Sequence, residues 1–362
     1  SGGGSASGGG SASGGGSGAC TGSFTTIGTP DAGAFVFAIS RDGTTVVGSV
    51  GSATGRMAFR WRADAGLLTL GQLSSASPSS EAFAVSADGE VVTGISHSSQ
   101  VSCPGRQDEA FRWTAAGGIS GLGDLPGDCF FSAAYGISAD GALIVGTATN
   151  AQSNTAATWS TAGQWNDLGL AMSPGNSSSL AAVTPDRTVF AGTYRIGNGG
   201  EYELLRIADG GALVERLGDL DGGISYAGFN ALSDDGEVLV GFGTSAVGAE
   251  ALRWTRDAGP VALGHLSGSQ LISVAAAVSR DGSLIAGSEL TDAGSEAVLW
   301  LGGLSASRLE QVLSSHGVVV PAGYRLRSVT GLTTSATQVT VVGNTDDASG
   351  NPLGFVARYC TP

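Results

Sequence analysis

Seven copies of one pattern run through this chain, and a repeat of that length constrains the fold more tightly than any single motif. Each copy reads as an apolar strand, a turn that usually contains Asp-Gly, a β-branched strand ending in Gly, and a strand ending in Trp. The first strand ends in a small, an aliphatic and a hydroxyl residue. These triplets are Ala38-Ile39-Ser40, Ala84-Val85-Ser86, Gly136-Ile137-Ser138, Ala182-Val183-Thr184, Ala231-Leu232-Ser233, Ala277-Val278-Ser279 and Gly331-Leu332-Thr333. The second strand ends at Gly48, Gly94, Gly146, Gly192, Gly241, Gly287 and Gly343, spaced 46 to 56 residues apart. Trp61, Trp113, Trp159, Trp254 and Trp300 close the third strand, and Arg206 and Arg358 are read in that place in copies four and seven. A fourth strand carries Leu-Gly in copies one to five. Copy six instead reads as a short helix over Ser307 to Gly317, with Ser307 as N-cap.

Short strands that are apolar on both faces form a small sheet needing cover on both sides, and radial stacking of such sheets provides it. The chain is therefore expected to be all-β, a seven-bladed β-propeller over residues 19–362. The glycines are read as allowing close approach of neighbouring sheets, and the Trp as filling the wider outer wedge. Phe24 to Gly28 matches the fourth-strand segment Leu67 to Gly71, whereas copy seven ends after its third strand. The N-terminal strand should thus complete the last blade and close the ring, placing Cys20 beside Cys360 as a disulfide. The same blade map puts Cys103 and Cys129 on one face as a second pair, and two structural disulfides imply an oxidising compartment.

Residues 1–18 contain only Gly, Ser and Ala and should form a flexible tether spanning roughly 21 to 25 Å. An added linker, the spacer after a lipid-anchored Cys, and an assembly element are the three readings of that segment. Net charge is −14, all 17 basic residues are Arg, and no basic cluster occurs, which argues against a nucleic-acid partner. No apolar run reaches the ~20 residues of a membrane-spanning helix.

The S-x-D-G-x-x-V-x-G, A-F-R-W and L-G-x-L signatures resemble the bacterial extracellular HAF repeat family, over residues 20 to 360. The resemblance implies secretion and repetition and carries no catalytic residues over. Copy four departs from it at Pro185-Asp186-Arg187 and copy seven at Thr334-Ser335-Ala336, so their first turns are expected to differ.

The recurring turn aspartates, Asp42, Asp88, Asp140, Asp186, Asp235 and Asp281, are read as satisfying local backbone N–H groups rather than as a calcium ring. No cofactor or metal is expected. His97, His265 and His316 lie in different copies, and Glu109, Glu250 and Glu296 recur as strand-edge residues. Specificity should reside where the copies differ, in the loops 97–108, 195–201, 243–249 and 345–352. Candidate partner-binding residues are His97, Arg106, Arg195 and Tyr202 on those loops, with Tyr135, Tyr226, Phe229, Asn230, Arg325 and Arg327 near one mouth of the central channel. The expected function is a non-enzymatic extracellular binding or assembly module engaging a protein or a second copy. A carbohydrate-binding propeller is the alternative, to be marked by exposed Trp61, Trp113 and Trp254, and a polysaccharide hydrolase or lyase is the third reading.

Overall fold

A computed structural model describes residues 20–361 except 54, 75, 77, 101–107, 128, 152, 171–174, 198–199, 267–268 and 303–304. The expected tether, Arg106 and the expected Cys103 partner of Cys129 lie outside the described residues. Seven four-stranded antiparallel sheets account for every strand among the described residues. Blade one comprises Ala34–Ile39, Thr45–Ser52, Gly55–Arg62 and Gly66–Thr69. Each first strand packs against the first strand of the next blade, and that of blade seven (Arg325–Thr334) packs against that of blade one, so the ring is closed. The chain forms a seven-bladed β-propeller.

Closure follows the expected route. Ser23–Ile27 pairs antiparallel with Pro352–Cys360, in register from Ser23↔Arg358 to Ile27↔Gly354. Cys20 and Cys360 are disulfide-bonded, their Cα atoms 5.8 Å apart.

The core lies between blades. Ile27, Val342 and Val356 of blade seven meet Val36, Phe59 and Trp61 of blade one, and each later junction repeats this pattern. Trp61, Trp113, Trp254 and Trp300 are buried, which removes the exposed Trp platforms a repeated lectin site would need. The register corrects one alignment. Gly48 faces Phe59, two residues before Trp61, whereas Gly192 faces Leu205 and Gly343 faces Phe355. Ile207 and Ala357 therefore occupy the Trp position, and Arg206 and Arg358 fall one residue to either side of it. Arg206 matches Arg60, and Arg358 matches Arg62.

The seven second-strand glycines have a different cause from the one expected. A β-bulge interrupts every first strand beside the glycine, as between Val36 and Ala38 or Leu180 and Ala182. It turns a carbonyl onto the glycine, so that a Cβ on any of the seven would stand 1.9 to 2.0 Å from a backbone oxygen of its own blade. The close approach is within a blade, between its first two strands.

The turn aspartates act locally, as expected. Asp88 Oδ1 accepts from Ser86 Oγ at 2.6 Å and from Glu90 N at 3.0 Å, and Ser86 Oγ in turn accepts from Val91 N. The hydroxyl bond from Ser86 is the main cause holding the Asp88 carboxyl below its ordinary value. Blade four keeps the same turn despite its altered sequence: Thr184 donates to Asp186 at 2.7 Å, and Arg187 takes the left-handed conformation (φ 64°) that glycine supplies elsewhere. In blade six, Ser305–Arg308 forms a fourth strand, and the helix α1 (Leu309–Ser315) starts after it with Arg308 at the N-cap, not Ser307.

Candidate functional site

The first-strand starts and second-strand ends of blades three, four and five together form a cleft of about 360 Å³. Its walls carry Tyr135, Tyr202, Tyr226 and Phe242, and its cation is Arg195. The second-to-third-strand hairpin of blade four brings Arg195 opposite Tyr202, because these two residues pair across Phe190–Ile196 and Glu201–Ala208. The connection into blade five then lies over Tyr202, whose N–H donates to Ser225 O at 2.9 Å and whose carbonyl accepts from Ala227 N at 3.0 Å. Tyr226 is fixed edge-on against Tyr202, with ring centroids 5.0 Å apart and planes at 74°. Phe242 continues the aromatic wall 5.9 Å from Tyr226.

The Arg195 guanidinium sits 5.7 Å from the Tyr202 ring centroid. Its Nε is buried without a hydrogen-bond partner among the described residues, and none of the ion pairs formed by them includes it. Among the described residues no Asp or Glu lines the cleft, although the chain carries 31 of them. Ser177, Ser179, Thr193 and Asn154 supply neutral hydrogen-bonding groups. Burial, with a smaller contribution from the Asp108 charge, raises the Tyr135 pKa, so its hydroxyl keeps its proton and serves as a donor.

Four of the ten candidate partner-binding residues, Tyr135, Arg195, Tyr202 and Tyr226, thus share one cleft. The others disperse. Phe229 is buried in the junction of blades four and five, and Asn230 donates to Ala275 O at 2.9 Å inside the channel wall. Arg325 lines a separate groove with Glu296 and Arg308, and Arg327 pairs with Asp346 at 2.9 Å. His97 faces Asp108 across a hairpin at 3.7 Å. Sequence reading missed Phe242, Ser177 and Ser179. The signals were present: Phe242 follows the repeat glycine where most other copies place a smaller or polar residue, and Ser177-Ser178-Ser179 interrupts an otherwise apolar first strand.

Glu109 and Glu250 are buried rather than edge residues. Glu109 accepts from Ser98 Oγ at 2.5 Å, and Glu250 accepts from Ser245. Glu250 also meets His265 Nε2 at 2.8 Å, while Glu289 meets His265 Nδ1 at 2.7 Å. The imidazole thereby bridges two carboxylates at the seam of blades five and six. Burial alone would lower the His265 pKa, but the bonds to Glu250 and Glu289 outweigh it and the net direction is upward.

No family model and no curated protein matches the sequence. Solved structures share the fold. Oligogalacturonate lyase in complex with manganese aligns at TM-score 0.57 and 12% identity, over 93% of each chain. The propeller domain of the Trilobed protease from Pyrococcus furiosus aligns at 0.54 and 9%, over 90% of this chain and 95% of that one, and has an open velcro topology where this ring is closed. Prolyl oligopeptidase B from Galerina marginata aligns at 0.53 and 8%, over 88% of this chain and 49% of that one, so this chain spans about half of that enzyme.

These matches correct the expectation of a non-enzymatic binding module. The architecture recurs in a lyase and in peptidases, so the propeller fold gives no ground for excluding catalysis. The manganese of the lyase has no counterpart in the donor set: among the described residues no three His, Cys, Asp or Glu side chains are grouped to hold a metal ion. His97, His265 and His316 stay in separate blades, engaged by Asp108, by Glu250 and Glu289, and by the Val312 carbonyl.

Proposed function

We propose that the chain is a glycan-active enzyme that cleaves uronate-containing oligosaccharides by β-elimination in the cleft around Arg195. The observation that carries this reading is a cation with no counter-charge among the described residues, set among three tyrosines in a cleft whose described lining holds no carboxylate, on a protein of net charge −14. A neutral sugar would leave the guanidinium unmatched, whereas a uronate carboxylate accepts its parallel N–H donors. Tyrosine and phenylalanine rings give the apolar walls on which a sugar ring packs.

The reaction needs no oxidant or cofactor. Arg195 binds the uronate carboxylate and stabilises the negative charge that grows on it as the C5 proton leaves. Tyr202, beside the guanidinium, is the general base: its phenolate oxygen takes that proton and becomes the neutral phenol. The C5 electron pair forms the C4–C5 double bond, the C4–O4 bond breaks, and Tyr135 protonates the departing oxygen. The likeness to oligogalacturonate lyase supports this reading at the level of the fold. The HAF-type repeat signatures and the Cys20–Cys360 disulfide support a location outside the cytosol, and no described helix is long and apolar enough to cross a membrane.

The test is turnover of uronate polymers, followed by the ultraviolet absorbance of the unsaturated product. Wild type should form it, and Arg195→Gln should lower kcat by about 10²- to 10³-fold, as loss of a charge-stabilising donor does elsewhere. Absence of unsaturated product from every uronate polymer offered, with the cleft intact, would refute the assignment.

A further inference from the structure

At the opposite end of the strands, the seam between blades seven and one holds a second pocket, of about 410 Å³. Three arginines line it: Arg41, Arg280 and Arg358. We propose that it binds a tetrahedral oxyanion, phosphate or sulfate, either free or as an ester on a sugar.

This seam has the same arginine as the seam of blades one and two but not its acidic partner. Arg358 occupies the position that Arg62 holds in blade one. Arg62 reaches Glu90 of the following blade at 3.0 Å. The residue in the Glu90 position of the seam is Thr44, so Arg358 finds no carboxylate among the described residues and donates instead to Gly43 O at 3.1 Å. Blade seven is also the copy whose first turn lacks aspartate, and Thr333, Thr334 and Ser335 stand there. The missing turn aspartate and an Arg358 without the carboxylate that serves Arg62 thus meet at one place.

The other two arginines border the same pocket. Arg280 donates through Nη2 to the Arg41 carbonyl, which also accepts from Thr333 Oγ1 at 2.9 Å. Arg280 Nε is buried with no partner among the described residues. Arg41 crosses the channel mouth to pair with Asp234. The carboxylates facing the group are therefore Asp234, paired with Arg41 and also within the field of Arg280, and Asp42, committed to Ser40 Oγ at 2.5 Å and to Thr44 N at 2.9 Å. Three positive charges against two negative leave a local charge of +1 on a strongly acidic molecule. Guanidinium forks flanked by Thr and Ser hydroxyls match the donor demand of a tetrahedral oxyanion, and the volume far exceeds the ~30 Å³ of one water, leaving space for an esterified sugar.

The test uses the whole chain and variants that copy other blades, so that each retains a residue the fold already tolerates. Arg358→Thr copies Thr114 and Thr255, and Arg280→Ala copies Ala87 and Ala139. Calorimetric titration with sodium phosphate, sodium sulfate, a sugar phosphate and a sugar sulfate, at constant ionic strength in chloride, should show saturable binding. Each variant should weaken it about tenfold or more, the loss expected when a charge-assisted hydrogen bond is removed. A sugar ester bound more tightly than the free ion identifies an esterified ligand, and equal affinities identify the free ion. Saturation by none of the four, or saturation unchanged in both variants, overturns the proposal. Arg195→Gln should leave this binding intact, which separates it from the tyrosine cleft.

Discussion

Replacing both Cys20 and Cys360 with Ser should cost this protein more than disulfide removal usually does, because the bond closes a loop of 340 residues. The chain-entropy relation gives roughly 6 kcal/mol for a loop of that size at 25 °C, against ~3 for a loop of 15 residues. At about 2.1 cal/mol/K per residue over the folded ring, this corresponds to a fall of ~8 °C in Tm. The strand Ser23–Ile27 keeps its five register pairs with Pro352–Cys360, so the native structure should persist in the double variant. Urea unfolding of the wild type and the double variant measures the difference. A loss below ~1 kcal/mol would refute the reasoning, since it would mean that the ends of the unfolded chain already stay together or that closure adds nothing to the ring.

Gly192→Ala should destabilise by on the order of 1–3 kcal/mol or more, because its Cβ would meet Ser179 O at 1.9 Å and Leu180 Cα at 2.8 Å, both backbone atoms; urea midpoints would show it. His265→Gln should cost about 3–5 kcal/mol near pH 6, since it leaves Glu250 and Glu289 without their shared cation. With a folded pKa raised above the ordinary 6.5, the charged imidazole contributes fully below that value, and the contribution is lost as pH rises through the raised folded pKa. The gap between wild type and His265→Gln should accordingly narrow toward alkaline pH, and a gap that widened there would contradict the bridging role.

The ring was legible because its cause is periodic. A triplet such as Ala182-Val183-Thr184 and a glycine such as Gly192 recur in every copy, and the unpaired Phe24-to-Gly28 strand points to its missing partner. What each residue does was less legible. The glycines read as spacers between blades, because a bulge is a register event that one strand's sequence does not display. Arg206 and Arg358 aligned with Trp because the third strands of copies four and seven carry no Trp to fix the frame, and only the pairing of Gly192 with Leu205 and Gly343 with Phe355 set it. Tyr135 and Tyr226 stood out as departures from small residues, and Arg195 and Tyr202 by their place at a divergent loop. Their meeting in one cleft depends on three blades lying side by side, as does the separation of Phe229 into the core. The absence of carboxylates from the described lining of that cleft and of a counter-charge for Arg358 among the described residues are properties of neighbours distant in sequence, and a linear reading does not contain them.

The most direct measurement is a crystal structure of the protein soaked with an unsaturated uronate trisaccharide. The sugar carboxylate is predicted to lie on the Arg195 guanidinium, with the ring against Tyr202 and Tyr226 and the glycosidic oxygen toward Tyr135. A trisaccharide bound at any other surface, with Arg195 untouched, would contradict the account.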